Sequence, residues 1–217
     1  MKVLGIDEAG RGCVIGPLVL CGALFERRNL DALKSLGVKD SKRLSKPVRE
    51  SLSLEIRELA DLVFTKAITP AEIDRENINH LELKATVEAI RNTGPDRVEI
   101  DVPVHPRGIP NYMRRLSSLL RDEGVEVELL GANKADQKYV AVSAASVIAK
   151  VERDSRIERL KEEVGDFGSG YPSDEKTLSF LRILKEQGEM PEFVRKKWKI
   201  RKLSDQEELF QEEDRHA

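Results

Sequence analysis

Two cysteines, three histidines and one tryptophan are all that this 217-residue chain has of the residue types that most often carry chemistry. Cys13 and Cys21 have neither zinc-site spacing nor a disulfide-rich context, and read as two small buried thiols. His80 and His216 lie in polar surroundings without a thiol or carboxylate at ligand spacing, and His105 reads as an ordinary residue of a proline-rich loop. No Gly-x-Ser-x-Gly elbow is present, which disfavours a serine hydrolase. A Gly-x-x-x-x-Gly-Lys-Ser/Thr phosphate loop is also missing, which disfavours a P-loop enzyme. No apolar run reaches bilayer length, and the start lacks the pattern of a signal peptide, so a cytoplasmic protein with no membrane contact is expected. Neither sign of charge dominates. A net charge of -2 argues against a uniformly basic nucleic-acid binder but leaves room for a local basic groove.

What is present is a charge-rich globular composition, with 40% hydrophobic and 35% charged residues. Such a surface fits a thermophilic protein, and the length fits one domain with a small appended segment. The opening Val3-Leu4-Gly5-Ile6-Asp7-Glu8-Ala9-Gly10-Arg11-Gly12 is the most specific local signal. Residues 2–6 read as a buried strand that runs into two carboxylates. Carboxylates there are costly to desolvate unless paired, and hard oxygen ligands suit Mg²⁺ or Mn²⁺. A strand sends neighbouring side chains to opposite faces, so Asp7 and Glu8 share one ion only if the strand breaks there. Gly10 and Gly12 allow such a break and a close approach by a ligand backbone.

Strand signals fall at residues 2–7, 18–25, 62–67, 97–101 and 125–129, and helix signals at 46–60, 70–75, 79–91, 109–121, 136–163 and 174–187. Ser45, Thr69 and Ser173 are candidate caps. This order predicts an α/β fold with a mixed sheet, antiparallel at first and then built from β-α-β units. Asp7 and Asp101 then end strands and Asp136 opens a helix, converging on one rim of the sheet, where function sits in open α/β folds. Four acids, Asp7, Glu8, Asp101 and Asp136, suffice to hold two divalent ions for in-line displacement at phosphorus.

Other segments leave alternatives open. Ser41 and Lys42, with Arg43, form a loop suited to phosphate or a solvated turn before a helix. The small-residue run 143–150 reads as tight packing against the sheet. Tyr171, on a glycine-rich loop, either stacks on a sugar or base or staples the next helix. The basic run from Arg195 to Lys202 either grips phosphate with Trp198 stacking, or is a charged helix end with Trp198 packed on the core.

Together these pieces resemble ribonuclease H type 2 (ribonuclease HII) in its single-chain archaeal form. The match is carried, in family order, by 5–12, Val14-Ile15-Gly16-Pro17, Asp40-Ser41-Lys42, Lys134-Ala135-Asp136, 142–146, Ala149-Lys150-Val151, Arg153-Asp154 and 168–174. The resemblance implies a ribonuclease H-like five-stranded mixed sheet flanked by helices, with a helical C-terminal extension from about residue 160 inside a domain spanning 1–203. It implies endonucleolytic cleavage of RNA in RNA/DNA hybrids and 5′ of ribonucleotides in duplex DNA, leaving 3′-hydroxyl and 5′-phosphate ends. Asp7, Glu8, Asp101 and Asp136 match the family's metal-binding acids, with two Mg²⁺ or Mn²⁺ ions in the catalytic complex. Gly10, Arg11 and Gly12 match the main-chain reader of the ribose 2′-hydroxyl, and Tyr171 the junction-sensing tyrosine. Cys13 stands where the family usually has proline, which predicts a looser turn but no lost ligand. A monomer is expected, with an acidic, disordered tail over 204–217. Gln206, Leu209 and Phe210 weakly match a sliding-clamp motif.

Overall fold

The computed structural model describes residues 1–38 and 44–198. Ser41 and Lys42, and the acidic tail, therefore lie outside the described residues. Five strands form one sheet in the order β3-β2-β1-β4-β5: β1 Lys2–Ala9, β2 Leu18–Glu26, β3 Leu62–Ile68, β4 Arg97–Asp101 and β5 Glu128–Ala132. The first three pair antiparallel, and β4 and β5 run parallel to β1, as the order of signals predicts.

Seven α-helices flank the sheet among the described residues: α1 Leu30–Ser35, α2 Lys46–Leu59, α3 Pro70–Arg75, α4 Ile78–Thr93, α5 Ile109–Asp122, α6 Val140–Val164 and α7 Glu175–Glu186. Pleating divides β1 between two cores. Leu4 and Ile6 pack with Leu83, Ile90 and Leu116 of α4 and α5. Val3 packs on the other side with Ala141, Ala144 and Ile148 of α6. A third cluster joins Val14 and Ile15 to Ile157, Phe167, Leu181 and Val194, so the end of the described chain docks beside its beginning.

The small residues of α6 do pack tightly on the sheet. A Cβ placed on Gly5 would stand 2.1 Å from the main-chain carbonyl of Ala141. Only a glycine permits that approach, which brings the Ser143–Ser146 face of α6 directly under β1. No helix among the described residues is long and apolar enough to cross a membrane.

Local signals set several ends. Thr69 and Glu72 form a reciprocal capping box at α3. Asn77 accepts from the Asn79 N–H to start α4, and Gly94 ends it in a left-handed conformation. Three expectations need correction. β5 begins at Glu128 and runs to Ala132, later than expected, because its pairing with β4 extends to Asp101↔Ala132. The helix expected over 136–163 is two elements, a 3₁₀ turn Ala135–Gln137 and then α6. Asp174, rather than Ser173, caps α7 by accepting from the Lys176 N–H.

Candidate active site

The expected strand break does not occur. β1 remains paired with β2 through Asp7↔Cys21, Glu8↔Leu20 and Ala9↔Val19. The two carboxylates consequently leave on opposite faces of the sheet. Asp7 is 6% exposed and hydrogen-bonds the Ser146 side chain of α6. Glu8 lies instead near Glu82 of α4 and Arg11. Asp101, at the end of the adjacent parallel strand, acts on both: its negative charge pushes both carboxyls toward the protonated form. It thereby links the two faces across the rim.

Asp136 is carried by the 3₁₀ turn after β5 and is buried. Several bonds fix that turn. Ser143 Oγ donates to the Asp136 carbonyl, and the Ala135 N–H donates to Asp101 Oδ1 at 3.3 Å. Asn133 Nδ2 donates to the carbonyls of Val102 and Val104, at 2.7 and 2.8 Å. Lys134 enters the turn with φ 54°, the one positive φ outside glycine among the described residues. Backbone strain of this kind, held by surrounding bonds, concentrates at functional sites.

Burial is the largest influence on Asp7 and raises its carboxyl from 3.8 to about 7. Asp101 adds to the rise and Asp136 contributes a smaller part, opposed by the Ser146 hydroxyl and the Glu8 N–H. Burial likewise raises Glu8 well above the usual carboxylate range, helped by Asp7, Glu82 and Asp101 and opposed by Arg11. Acids that disfavour one another's charge in this way form a hard-oxygen donor set suited to a small divalent cation. Among the described residues, though, no group of three His, Cys, Asp or Glu side chains has closed into metal-ligating geometry. The acids fit such an ion by chemistry, spread around a cleft rather than drawn onto one point.

That cleft, about 400 Å³, is lined by Asp7, Glu8, Asp101, the Gly10-Arg11-Gly12 turn and Tyr171; Asp136 is not among its lining residues, though its charge reaches Asp7. Arg49, Ser146 and Lys150 also line it. Sequence reasoning passed over these three. The serines at 143 and 146 share one helical face, a spacing that could have marked Ser146 as more than packing. Arg49 sits in an ordinary amphipathic helix and carries no such mark, and Lys150 follows the buried run of α6, where only its place in a family-matching segment set it apart.

The Arg11 side chain turns away to Glu82 Oε2 and Asn79 Oδ1 on α4. Glu82 is 1% exposed, so this pairing partners one oxygen of a carboxylate that water cannot reach, while Oε1 is left without a hydrogen bond among the described residues. Gly10 has φ 88°, and a Cβ there would meet the Pro17 carbonyl at 2.7 Å. Cys13 gives the turn a bond in place of proline's fixed φ. Its N–H donates to the Gly10 carbonyl at 3.2 Å, a bond proline could not make. Its buried sulfur accepts from Arg153 Nη2 at 2.8 Å.

Tyr171 takes the position beside the site. Its ring packs under the Arg153 guanidinium at 4.9 Å and beside Gly12, and burial raises its hydroxyl to about 12. Trp198 is a packing residue: it joins two cores, with the Arg195 guanidinium 5.2 Å from its ring. Arg195 is 1% exposed and bonded to protein carbonyls, so it cannot grip phosphate. His105 caps a turn, accepting from the Arg107 N–H, and is not part of the cleft.

Comparison with known proteins agrees with this arrangement. A sequence model of the Ribonuclease HII family matches residues 4–201. The Ribonuclease HII of Methanothermobacter thermautotrophicus is 45% identical over 207 residues, covering 91% of this chain and 96% of the relative. The structure of the PCNA:RNase HII complex from Archaeoglobus fulgidus superposes with a TM-score of 0.83 at 41% identity, covering 93% of this chain and 96% of that one. The ribonuclease H2 from Pyrococcus horikoshii gives 0.82 at 41% identity, with 95% and 98% covered. Sequence match, sheet order and an acid-lined rim converge: the chain belongs to the ribonuclease HII family, the metal-dependent endonucleases that hydrolyse RNA in RNA/DNA hybrids and at ribonucleotides in DNA.

Proposed function

We propose that Asp7, Glu8, Asp101 and Asp136 together hold two divalent ions, Mg²⁺ or Mn²⁺, and are the catalytic acids of this enzyme. Such ions activate an attacking water and neutralise charge developing on the departing 3′-oxygen. What supports this reading is the gathering of Asp7, Glu8 and Asp101 on one cleft, where burial and Asp101 hold the Asp7 and Glu8 carboxyls up, bordered by a glycine turn that a nucleic-acid backbone can approach. Ser146 orients Asp7 from below, and Ser143 holds the turn that bears Asp136. Gly10, Arg11 and Gly12 recognise the 2′-hydroxyl of the nucleotide 5′ to which the strand is cut, through main-chain N–H groups. Tyr171 meets the sugar–base junction beside them. Arg49 and Lys150, with Ser41 and Lys42 of the loop outside the described residues, meet backbone phosphates.

A labelled DNA duplex with one ribonucleotide tests this. With Mg²⁺ or Mn²⁺ the enzyme is expected to cut once, on the 5′ side of the ribonucleotide, leaving a 3′-hydroxyl. EDTA should stop the reaction, and the all-DNA duplex should remain whole. Cutting of the all-DNA duplex would sink the assignment of the glycine turn, and cutting in EDTA that of the acids.

A second proposal concerns the tail. The Archaeoglobus relative was solved with PCNA, and we infer that this chain, a monomer, meets a sliding clamp through Gln206, Leu209 and Phe210. Removal of residues 204–217 should abolish clamp binding in a pull-down while leaving kcat on a short oligonucleotide within about twofold. Retained binding would move the contact elsewhere.

A further inference from the structure

The turn proposed to read the 2′-hydroxyl has one bond of its own, from the Cys13 N–H to the Gly10 carbonyl, and further support from outside. One buried side chain from the far end of the chain grips it. Arg195 Nη2 donates to the Gly10 carbonyl at 2.7 Å and Nη1 donates to the Arg11 carbonyl at 2.7 Å. The Gly16 carbonyl, where the same loop leaves the site, accepts from Nε at 3.2 Å and from Nη2 at 3.1 Å. The Arg195 main-chain N–H donates to Val14, and the Gly16 N–H donates to Phe193, so the arginine is itself anchored to the loop it holds. Trp198 covers the guanidinium. Burial lowers Arg195 only to about 10, which leaves it charged at neutral pH.

The consequence follows from peptide geometry. Across a trans peptide the carbonyl of one residue and the N–H of the next point in opposite directions. Every peptide bond described here is trans. Holding the Gly10 and Arg11 carbonyls on one guanidinium therefore turns the Arg11 and Gly12 N–H groups away from it. Neither N–H has an acceptor among the described residues. Both belong to the stretch that lines the cleft. A planar fork can hold two such carbonyls in fixed relation, which a single ammonium cannot.

We propose that Arg195 is a positioning residue for ribose recognition: by gripping the Gly10 and Arg11 carbonyls it aims the Arg11 and Gly12 N–H groups at the 2′-hydroxyl oxygen. Arg195 touches no substrate and lies outside the phosphate-binding surface. It rests on the assignment of the glycine turn made above. Its effect should appear in discrimination between ribose and deoxyribose, and not in affinity for duplex as such.

The test compares wild type with Arg195→Lys, which keeps the charge and loses the fork. Two quantities are measured in one Mg²⁺ assay: kcat/KM on a duplex with one ribonucleotide, and the inhibition constant of the same duplex with deoxyribose there. Arg195→Lys is expected to lower kcat/KM by about tenfold or more while the all-DNA inhibition constant stays within about twofold. Equal weakening of both would show a merely structural role, and no change in either would overturn the proposal. Should Arg195→Lys not fold, Trp198→Leu uncovers the guanidinium and leaves its carbonyl partners. It should shift the same ratio in the same direction by a smaller factor, and an unchanged ratio would again overturn the proposal. If wild type itself binds the two duplexes equally, the turn assignment fails first. Wild-type discrimination with an unchanged ratio in the variants defeats Arg195 alone.

Discussion

Asp7→Asn is expected to reduce cleavage of a ribonucleotide-containing duplex by about 10³-fold or more while leaving the protein folded. Asparagine matches the carboxylate in shape but cannot supply its charge. The same substitution should stabilise the metal-free protein at neutral pH. Burial lifts the Asp7 carboxyl from 3.8 to about 7, with Asp101 adding to the rise. Between those values the folded state holds a proton that the unfolded chain has released. Raising pH across that window therefore favours the unfolded chain, and above it the loss is complete. Wild type in EDTA should lose stability, on the order of a few kcal/mol, as pH rises from about 4 to about 7. Asp7→Asn should show a shallower slope, the remainder coming from Glu8, whose carboxyl burial also raises. Adding Mg²⁺ should raise the wild-type Tm at neutral pH and leave the variant nearly unmoved. Urea titrations across pH check the slope. A wild type that grows more stable across the window would refute the account of Asp7 as a carboxylate held against its own charge.

Gly5→Ala is the second large effect. The added methyl would stand 2.1 Å from both the carbonyl carbon and oxygen of Ala141, and 2.5 Å from the Val142 nitrogen. These are main-chain atoms at the start of α6, so no side chain can rotate aside. Helix and sheet must separate, which also lifts Ser143 and Ser146 from the acids they hold. We expect a loss of about 4 kcal/mol or more, a large part of an ordinary domain's stability. The matching control is Gly37→Ala. Gly37 has φ 71° but nothing within 4 Å of the new methyl, so only the left-handed backbone opposes it, at about 1 kcal/mol. Thermal melts of the two variants separate close packing from backbone preference. Similar losses in both would show that α6 does not rest on Gly5.

Much of this was legible in the chain. β1 announces itself as an apolar run that stops at acids, β4 as an alternating segment that ends in one, and the capping box at Thr69 places α3 to the residue. The Gly10-Arg11-Gly12 turn and Tyr171 were found as motifs, and the structure brings them to one cleft. What stayed hidden depends on pairing across distance. β5 slides to Glu128–Ala132 because its register is set by β4, not by its own alternation. The continuation of β1 through Glu8 depends on β2, so local glycines could not reveal it. α1 has six residues and one buried side chain, too little for a periodic signal. Arg195 stands in a run of cations, and nothing local separates the buried one from its exposed neighbours Lys196 and Lys197. Its partners lie some 185 positions earlier in the chain.

That separation has a bearing on synthesis. A ribosome delivers β1 and its two carboxylates well before Arg195, which follows Gly10 by 185 positions. Until residues 193–195 have emerged, the turn at Gly10 lacks that anchor and Ile15 has no Val194 to pair with. If Arg195 aims the turn as proposed, the nascent chain carries its acids long before it can sort ribose from deoxyribose. Closing so long a loop is slow as well as late. On that proposal, competence to discriminate comes after the strand that carries the acids, when Arg195 reaches the loop made 185 positions earlier.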